Sequence, residues 1–179
     1  EIVFKKALKV SRVDPRVYEG LGEIYFENNR YSDALAKFQR AIDLSPANSE
    51  YRVKQAKTYS LNGELKEAIE SYQKAVEIDL NNGAAFYNLG LLYLEQKDMD
   101  KALESLEISV GLDADSFEPH VALSRLYAQG NSYDKAIAEI SEAIKLNNDN
   151  PTLHLTLGTL LFESGQEDMA VKNLKKVTD

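Results

Sequence analysis

The chain repeats itself every 34 residues, and this period restricts its possible folds more than any other feature of the sequence. Five registers keep the interval through five units without an insertion or a deletion. In chain order they are Ala34, Ala68, Ala102, Ala136, Ala170; Leu35, Ile69, Leu103, Ile137, Val171; Gly22, Ala56, Gly90, Ser124, Gly158; Phe38, Tyr72, Leu106, Ile140, Leu174; and Tyr25, Tyr59, Tyr93, Tyr127, Leu161. A fixed period of this length indicates stacked units, none of which can bury its apolar face alone.

Each unit contains two helical patterns separated by turn-forming residues. In the second pattern of the first unit, the apolar residues recur at steps of three and four, so they share one helix face: Ala34, Leu35, Phe38, Ala41 and Ile42. Small residues allow two helix backbones to approach closely, and bulky residues one turn away fill the space beside them. The pattern therefore predicts an all-α fold of antiparallel helix hairpins.

These registers resemble the tetratricopeptide repeat, in which a large residue, Leu-Gly, Tyr, Ala, Phe, Ala and Pro stand at fixed offsets. The first full unit carries nearly the whole pattern: Tyr18, Leu21, Gly22, Tyr25, Ala34, Phe38, Ala41 and Pro46. The second unit departs from it at Arg52 and Gln55. The resemblance covers almost the whole chain and implies a right-handed superhelical solenoid whose first helices line the concave side.

The repeat divides one continuous domain, 1–179, into units. We predict repeat units at 15–48, 49–82, 83–116, 117–150 and 151–179, the last of them truncated, after a partial repeat at 1–14 that supplies only a second helix. Repeat arrays usually need polar capping units, and none follows here. We therefore expect that the chain is a fragment of a longer protein or that another chain covers its ends.

The resemblance also implies where a partner binds, because ligand contacts in the family come from inward-facing positions of the first helices. The residues predicted for this concave groove are Val53, Lys54, Lys57, Tyr87, Asn88, Leu91, Leu94, Val121, Arg125, Leu155 and Phe162. The lining is charged in the first two units and largely apolar in the last three. Such an apolar strip favours a contact surface. The alternative is that some members, Leu94 and Phe162 especially, pack inside or between hairpins.

Two known subtypes of the family do not match. One grips the C-terminal carboxylate of heat-shock chaperones with a set of Lys, Asn and Arg side chains. Only Asn88 falls in a matching position, and the companion positions are Val53, Lys57, Glu118 and Ala122. The asparagine ladder of sugar-transferase relatives is also missing, since that register runs Gly20, Lys54, Asn88, Ala122, Thr156.

Composition narrows the function further. The net charge is −8, so binding to nucleic acid would require a concentrated basic stripe. The one basic bias, Lys5, Lys6, Lys9 and Arg12, is more typical of a solvated helix face. No apolar run has the length of a membrane span, and no signal-peptide pattern is present. Without cysteine the chain suits the cytosol, which is favoured, or the periplasm, so its localisation stays open.

Chemistry for catalysis, a cofactor or a metal is not predicted. His120 and His154 lie one repeat apart and could in principle bind a metal together, but both occupy the position of Tyr18 and Phe86. An aromatic packing role is therefore the favoured interpretation. There is no His-Glu-x-x-His motif and no glycine-rich phosphate loop after a strand.

Three hypotheses for function remain. The first is a binding module that docks a peptide or a helix of a partner protein in the groove. The second is a self-assembling scaffold or spacer whose uncapped ends stack on one another. The third is the targeting arm of a larger enzyme.

Overall fold

The structure, a computed structural model, describes residues 14–178. These residues form ten α-helices and no strand. The helices are α1 (Pro15–Glu27), α2 (Tyr31–Leu44), α3 (Ser49–Leu61), α4 (Leu65–Ile78), α5 (Gly83–Gln96), α6 (Met99–Leu112), α7 (Glu118–Gln129), α8 (Tyr133–Leu146), α9 (Pro151–Glu163) and α10 (Glu167–Thr178). The predicted all-α fold of helical hairpins is confirmed. The partial repeat predicted at 1–14 lies outside the described residues, apart from Asp14.

The chain divides into two compact units, one ending at Leu92 and the other beginning at Tyr93. In the first unit α1 packs against α2 and α3 against α4, and α2 also packs against α3. In the second unit α7 packs against α8 and α9 against α10, while α7 contacts α6 and α9 contacts α8. Both units are therefore built from helix hairpins in sequential contact.

Polar side chains start the first helices of several hairpins. Asp14 accepts a hydrogen bond from the Arg16 amide at 2.9 Å, and Asn48 accepts one from the Glu50 amide at 3.0 Å. Asn150 does the same for Thr152 at 3.0 Å. Each bond satisfies an amide that has no partner within its helix. Since Pro15 and Pro151 follow such caps directly, their missing N–H groups leave no bond unmade.

One backbone conformation recurs in the turn inside every hairpin. In each turn the second-to-last residue has a positive φ. These residues are Asn29 (57°), Gly63 (80°), Lys97 (64°), Asn131 (55°) and Gly165 (82°). The next amide then bonds back to a carbonyl five residues earlier, as from Arg30 to Tyr25 at 2.9 Å and from Gln166 to Leu161 at 2.8 Å. This is the Schellman arrangement, which satisfies orphan carbonyls at a helix end.

The small registers are the places where helices meet. Ala34, Ala68, Ala102 and Ala136 have no exposed surface. A Cβ added to Gly22 would lie 2.6 Å from Cε1 of Phe38, and one added to Gly158 would lie 2.5 Å from Cδ2 of Leu174. The bulky partner therefore occupies the space that the missing side chain leaves.

The second repeat departs from the pattern with a buried polar residue. Gln55 takes a position that holds Leu21 in the unit before it, and it is only 4% exposed. Its amide donates to Gln39 Oε1 at 2.9 Å and its carbonyl accepts a hydrogen bond from Ser71 at 3.4 Å. The departure is tolerated because both ends of the amide are bonded.

Within residues 14–178, no helix combines the length and the apolar character needed to cross a membrane.

The turn residue Lys97 offers a test of the positive-φ rule. An L side chain in this conformation is strained, while glycine is not, so Lys97→Gly should raise the free energy of unfolding by about 0.5–1 kcal/mol. Gly63→Ala, at the same turn position with open space around it, should lower that free energy by about 1 kcal/mol. Urea denaturation of both variants measures the two effects. Equal shifts of the same sign would contradict the rule.

Candidate functional site

The predicted groove residues of the first unit lie on α3 and α5. On α3, Val53 is half-buried and Lys57 is exposed, while the side chain of Lys54 keeps 22% of its surface. On α5, Tyr87, Asn88 and Leu91 are all half-buried. The Asn88 amide donates to the Ala84 carbonyl of its own helix at 2.7 Å, which occupies one of its donors.

Lys54 is the centre of an ion cluster. Its ammonium pairs with Glu19 and lies 2.6 Å from Glu23 Oε1 and 3.3 Å from Glu50 Oε1. Glu19 and Glu23 belong to α1, so the cluster joins the first helices of two successive hairpins. Its geometry gives one ammonium three carboxylates, each within ion-pairing distance.

The pKa of Lys54 follows from this arrangement. Burial alone would lower it, because an ammonium is less stable away from water. Hydrogen bonds to Glu19 and Glu23 and the nearby negative charge outweigh burial, so the pKa rises above its ordinary value. Lys54 therefore stays charged throughout the physiological range and serves to hold carboxylates together.

A pocket of about 330 Å³ lies beside this cluster. The ring of Phe26 forms part of its wall and meets Tyr31 edge to face, with ring centres 5.9 Å apart and planes at 61°. The ammonium of Lys57 stands 5.5 Å from the Phe26 ring centre, a cation–π distance. The other lining residues are Glu23, Glu27, Phe38 and Lys54.

In the second unit, Leu94 and Arg125 line a common pocket of about 380 Å³. Met99 and Leu126 supply further apolar surface, and Met99 is 42% exposed. Arg125 is exposed and is the one Lys or Arg within the helices α7 and α9. The pocket thus combines apolar walls with the Arg125 guanidinium, and Glu95, Lys97 and Gln129 complete its lining.

The remaining predicted groove residues are distributed unevenly. Leu155 and Phe162 lie on α9 and are 56% and 64% exposed. Val121 is half-buried and packs against the core cluster that contains Ile140 and Leu153. Interior packing, the alternative considered for Leu94 and Phe162, does not hold for Phe162, whereas Leu94 is half-buried.

The two histidines take polar partners as well as packing positions. His120 is 9% exposed, and its Nδ1 lies 2.7 Å from Glu139 Oε2 on α8. His154 places Nε2 3.0 Å from the Asn148 carbonyl oxygen, while its Nδ1 is buried and has no hydrogen-bond partner among the described residues. Across the described part of the chain, no group of three or more His, Asp or Glu side chains has the geometry of a metal site.

Glu19, Glu23, Phe26 and Glu27 hold inward-facing positions of the first unit, but they are not among the residues predicted for the groove. Glu19 and Glu23 are separated from Lys54 by 35 and 31 positions, close to one repeat. A residue and its neighbours one period away lie on adjacent first helices, so aligning the units by their period is the signal that could have found the cluster.

Removing the charge of Lys54 should destabilise the fold. Lys54→Gln leaves three carboxylates together without a cation, and we expect a loss of about 1–3 kcal/mol, between that of a surface pair and that of a fully buried one. The measurement is urea denaturation, because guanidinium chloride is a salt and would itself screen the ion cluster. Lys66→Gln is the control, because Lys66 is 81% exposed and lies 3.9 Å from Glu70. An equal loss in both variants would contradict a special role for the cluster.

Family models match most of the chain. A model of the TPR repeat matches residues 56–97 and 124–165. Two models of the tetratricopeptide repeat match residues 3–49 and 83–116. No curated protein matches the chain.

Solved structures share the fold. The chain is 24% identical to a MamA protein, with a TM-score of 0.84 over 91% of this chain and 89% of that one. It is 18% identical to residues 41 to the end of MamA from Desulfovibrio magneticus RS-1, with a TM-score of 0.82 over 92% and 93%. It is 21% identical to YrrB, described as a TPR protein with an unusual peptide-binding site, with a TM-score of 0.79 over 97% and 90%.

At these identities the solved structures establish the fold and not the ligand. The family models carry the assignment, and they agree with the 34-residue register and with the helix hairpins that it predicts. This chain belongs to the tetratricopeptide repeat family.

Proposed function

We propose that the chain is a protein-interaction scaffold and that its second unit binds a peptide or a helix of a partner protein on the first helices of its hairpins. The family assignment and the fold shared with other TPR proteins support the general role of a protein-interaction scaffold. The position proposed for the contact is inferred from the exposed apolar side chains of the second unit.

The observation that carries the proposal is the exposed pair on α9. Leu155 and Phe162 are 56% and 64% exposed and stand seven residues apart, two helical turns, so they lie on one face. Asn150 caps the start of this helix, which places both side chains on an ordered element. Two large apolar side chains held in this way favour a contact surface over chance exposure.

The pocket at Leu94 and Arg125 provides the second contact in the same unit. Binding energy at protein interfaces is concentrated in aromatic and Arg side chains, and Phe162 and Arg125 are of these types. An amphipathic helix or an extended peptide presents several apolar side chains at regular intervals. One of them could enter this pocket, and another could contact Leu155 and Phe162. YrrB, with its peptide-binding site, supports the view that this fold can hold a peptide.

Replacing the exposed pair should abolish capture without loss of the fold. We expect Leu155→Ser/Phe162→Ser to weaken partner binding at least about tenfold, because each truncation removes an apolar anchor. The measurement is an affinity pull-down from the source lysate with quantitative mass spectrometry, followed by calorimetry with the partner so identified.

The matched control for this experiment is Leu80→Ser. Leu80 is 70% exposed but lies in the link between α4 and α5, away from the first helices. Circular dichroism would show that all variants remain helical. Equal recovery of the partner by the wild type and the double variant would contradict the proposed surface.

Self-association is a second candidate, favoured by the outer side of α10. Val171 is 53% exposed, whereas Ile69, in the same repeat register, is 7% exposed. Met169 is 57% exposed in a register that otherwise carries charge: Asp33, Glu67, Lys101 and Lys135. The apolar character of a repeat junction is therefore found at Val171, whose register is buried or half-buried in the other units, while Met169, two positions away, lies on the opposite side of the helix.

A charged residue at position 171 should prevent association. If copies stack through α10, sedimentation velocity should show a mass that rises with concentration, and Val171→Lys should remain monomeric at all concentrations. Leu155→Ser/Phe162→Ser should still associate, which separates the two candidates. A wild type that stays monomeric at high concentration would exclude this one.

A further inference from the structure

The pocket beside Lys54 in the first unit carries chemistry that the proposed contact in the second unit does not use. It lies among α1, α2 and α3, is about 330 Å³ in volume, and combines a phenyl ring with two carboxylates and two ammonium groups. The question is which kind of group this combination would bind.

Charge favours a cation. Lys54 is already shared by Glu19, Glu23 and Glu50, so it has no charge left for Glu27. Within the part of the chain that the structure describes, no cation pairs with Glu27, whose side chain is exposed at the pocket. The pocket lining itself has two carboxylates and two ammonium groups. Glu19 and Glu50 lie outside the lining and also pair with Lys54, so the surroundings of the pocket keep a negative excess that attracts a cation.

The aromatic wall favours the same class of ligand. The Phe26 ring is half-buried and supported by Tyr31, and a cation already stands over it, the Lys57 ammonium at 5.5 Å from the ring centre. Lys57 is exposed on a flexible stem, and no ion pair with a described residue fixes it there, so an incoming cation could take its place. The contact between the Lys57 ammonium and the Phe26 ring is therefore an example of the cation–π interaction that the pocket would offer to a ligand.

We infer that this pocket binds an arginine side chain of a partner protein, with its guanidinium against the Phe26 ring and hydrogen-bonded to the carboxylates of Glu23 and Glu27. Arginine is favoured over lysine because a planar guanidinium can stack on a ring and bond two carboxylate oxygens at once. This site lies in the first unit and does not depend on the surface proposed for the second.

The chain contains its own control for this inference. Phe162 and Glu163 occupy in the last repeat the positions of Phe26 and Glu27 in the first. There, however, Thr159 replaces Glu23, and Phe162 is 64% exposed where Phe26 is half-buried in a pocket wall. The same Phe-Glu pair is thus present without the second carboxylate.

The test is a titration of the whole ¹⁵N-labelled chain with N-acetyl-arginine methylamide, followed by amide chemical shifts in NMR spectra. We expect saturable chemical-shift changes among residues 23–57. Binding should weaken in roughly 0.5 M salt, because salt screens the attraction between exposed charges. The citrulline analogue has the same shape without the charge and should bind about tenfold more weakly or not at all.

Two variants locate the site. Glu27→Gln should weaken binding of the arginine probe about tenfold, and Phe26→Leu about fivefold, because they remove a charge-assisted hydrogen bond and the ring face. Glu163→Gln and Phe162→Leu should leave it unchanged. Glu27 is exposed, so its variant tests the inference even if Phe26→Leu fails to fold.

Three results would overturn the inference: equal binding of the citrulline analogue, shifts confined to residues outside the pocket, or full binding by Glu27→Gln. None of these bears on partner capture by Leu155 and Phe162, so failure here is distinguishable from failure of the proposed function.

Discussion

The close approach of paired helices is the constraint on which the rest of the structure depends. At Gly22 and Gly158 even a methyl group would overlap Phe38 or Leu174, so in the first and last hairpins the first helix rests against the second where a side chain is missing. Ala56 and Ser124, in the same register, are small and buried. This contact fixes the rotation of the first helix about its axis. The rotation in turn decides which side chains reach solvent, and both candidate sites consist of side chains presented in this way.

The turn inside each hairpin holds that contact in register. The same position adopts a positive φ in all five hairpins, although the residue there is Asn, Gly or Lys. Asn and Gly enter this conformation readily, whereas Lys does not, so the structure imposes the conformation at Lys97 against its local preference. A strict period without insertions is what such a shared geometry requires, because one extra residue would rotate the second helix away from its partner.

The sequence predicts the fold well and the site only in part, and the reason is the same in both cases. Period and helix spacing determine which residues face a neighbouring helix, and the burial of Ala34, Ala102 and Leu106 follows from them. Exposure depends also on what packs next. Val121 and Leu155 share one register, yet Val121 packs against a cluster that includes Leu153 of the following hairpin, while Leu155 is exposed. The period also does not predict side-chain partners such as Glu139 for His120. These two residues belong to different registers, and their contact depends on the residue types that this one repeat carries.

The exposed apolar side chains of the last hairpin connect the two candidate functions. Leu155 and Phe162 belong to its first helix, and Met169 and Val171 belong to its second. No helix pair within the described residues covers these side chains, so whatever packs on Leu155, Phe162 and Val171 would bury apolar surface whose registers are at least half-buried in the other units. Ile69 and Val171 share one register, but Ile69 is buried in the core whereas Val171 is exposed and available for contact with another apolar surface. Binding and stacking are therefore two uses of a single property of repeat folds: a face designed to meet the next unit will meet whatever presents a complementary apolar surface.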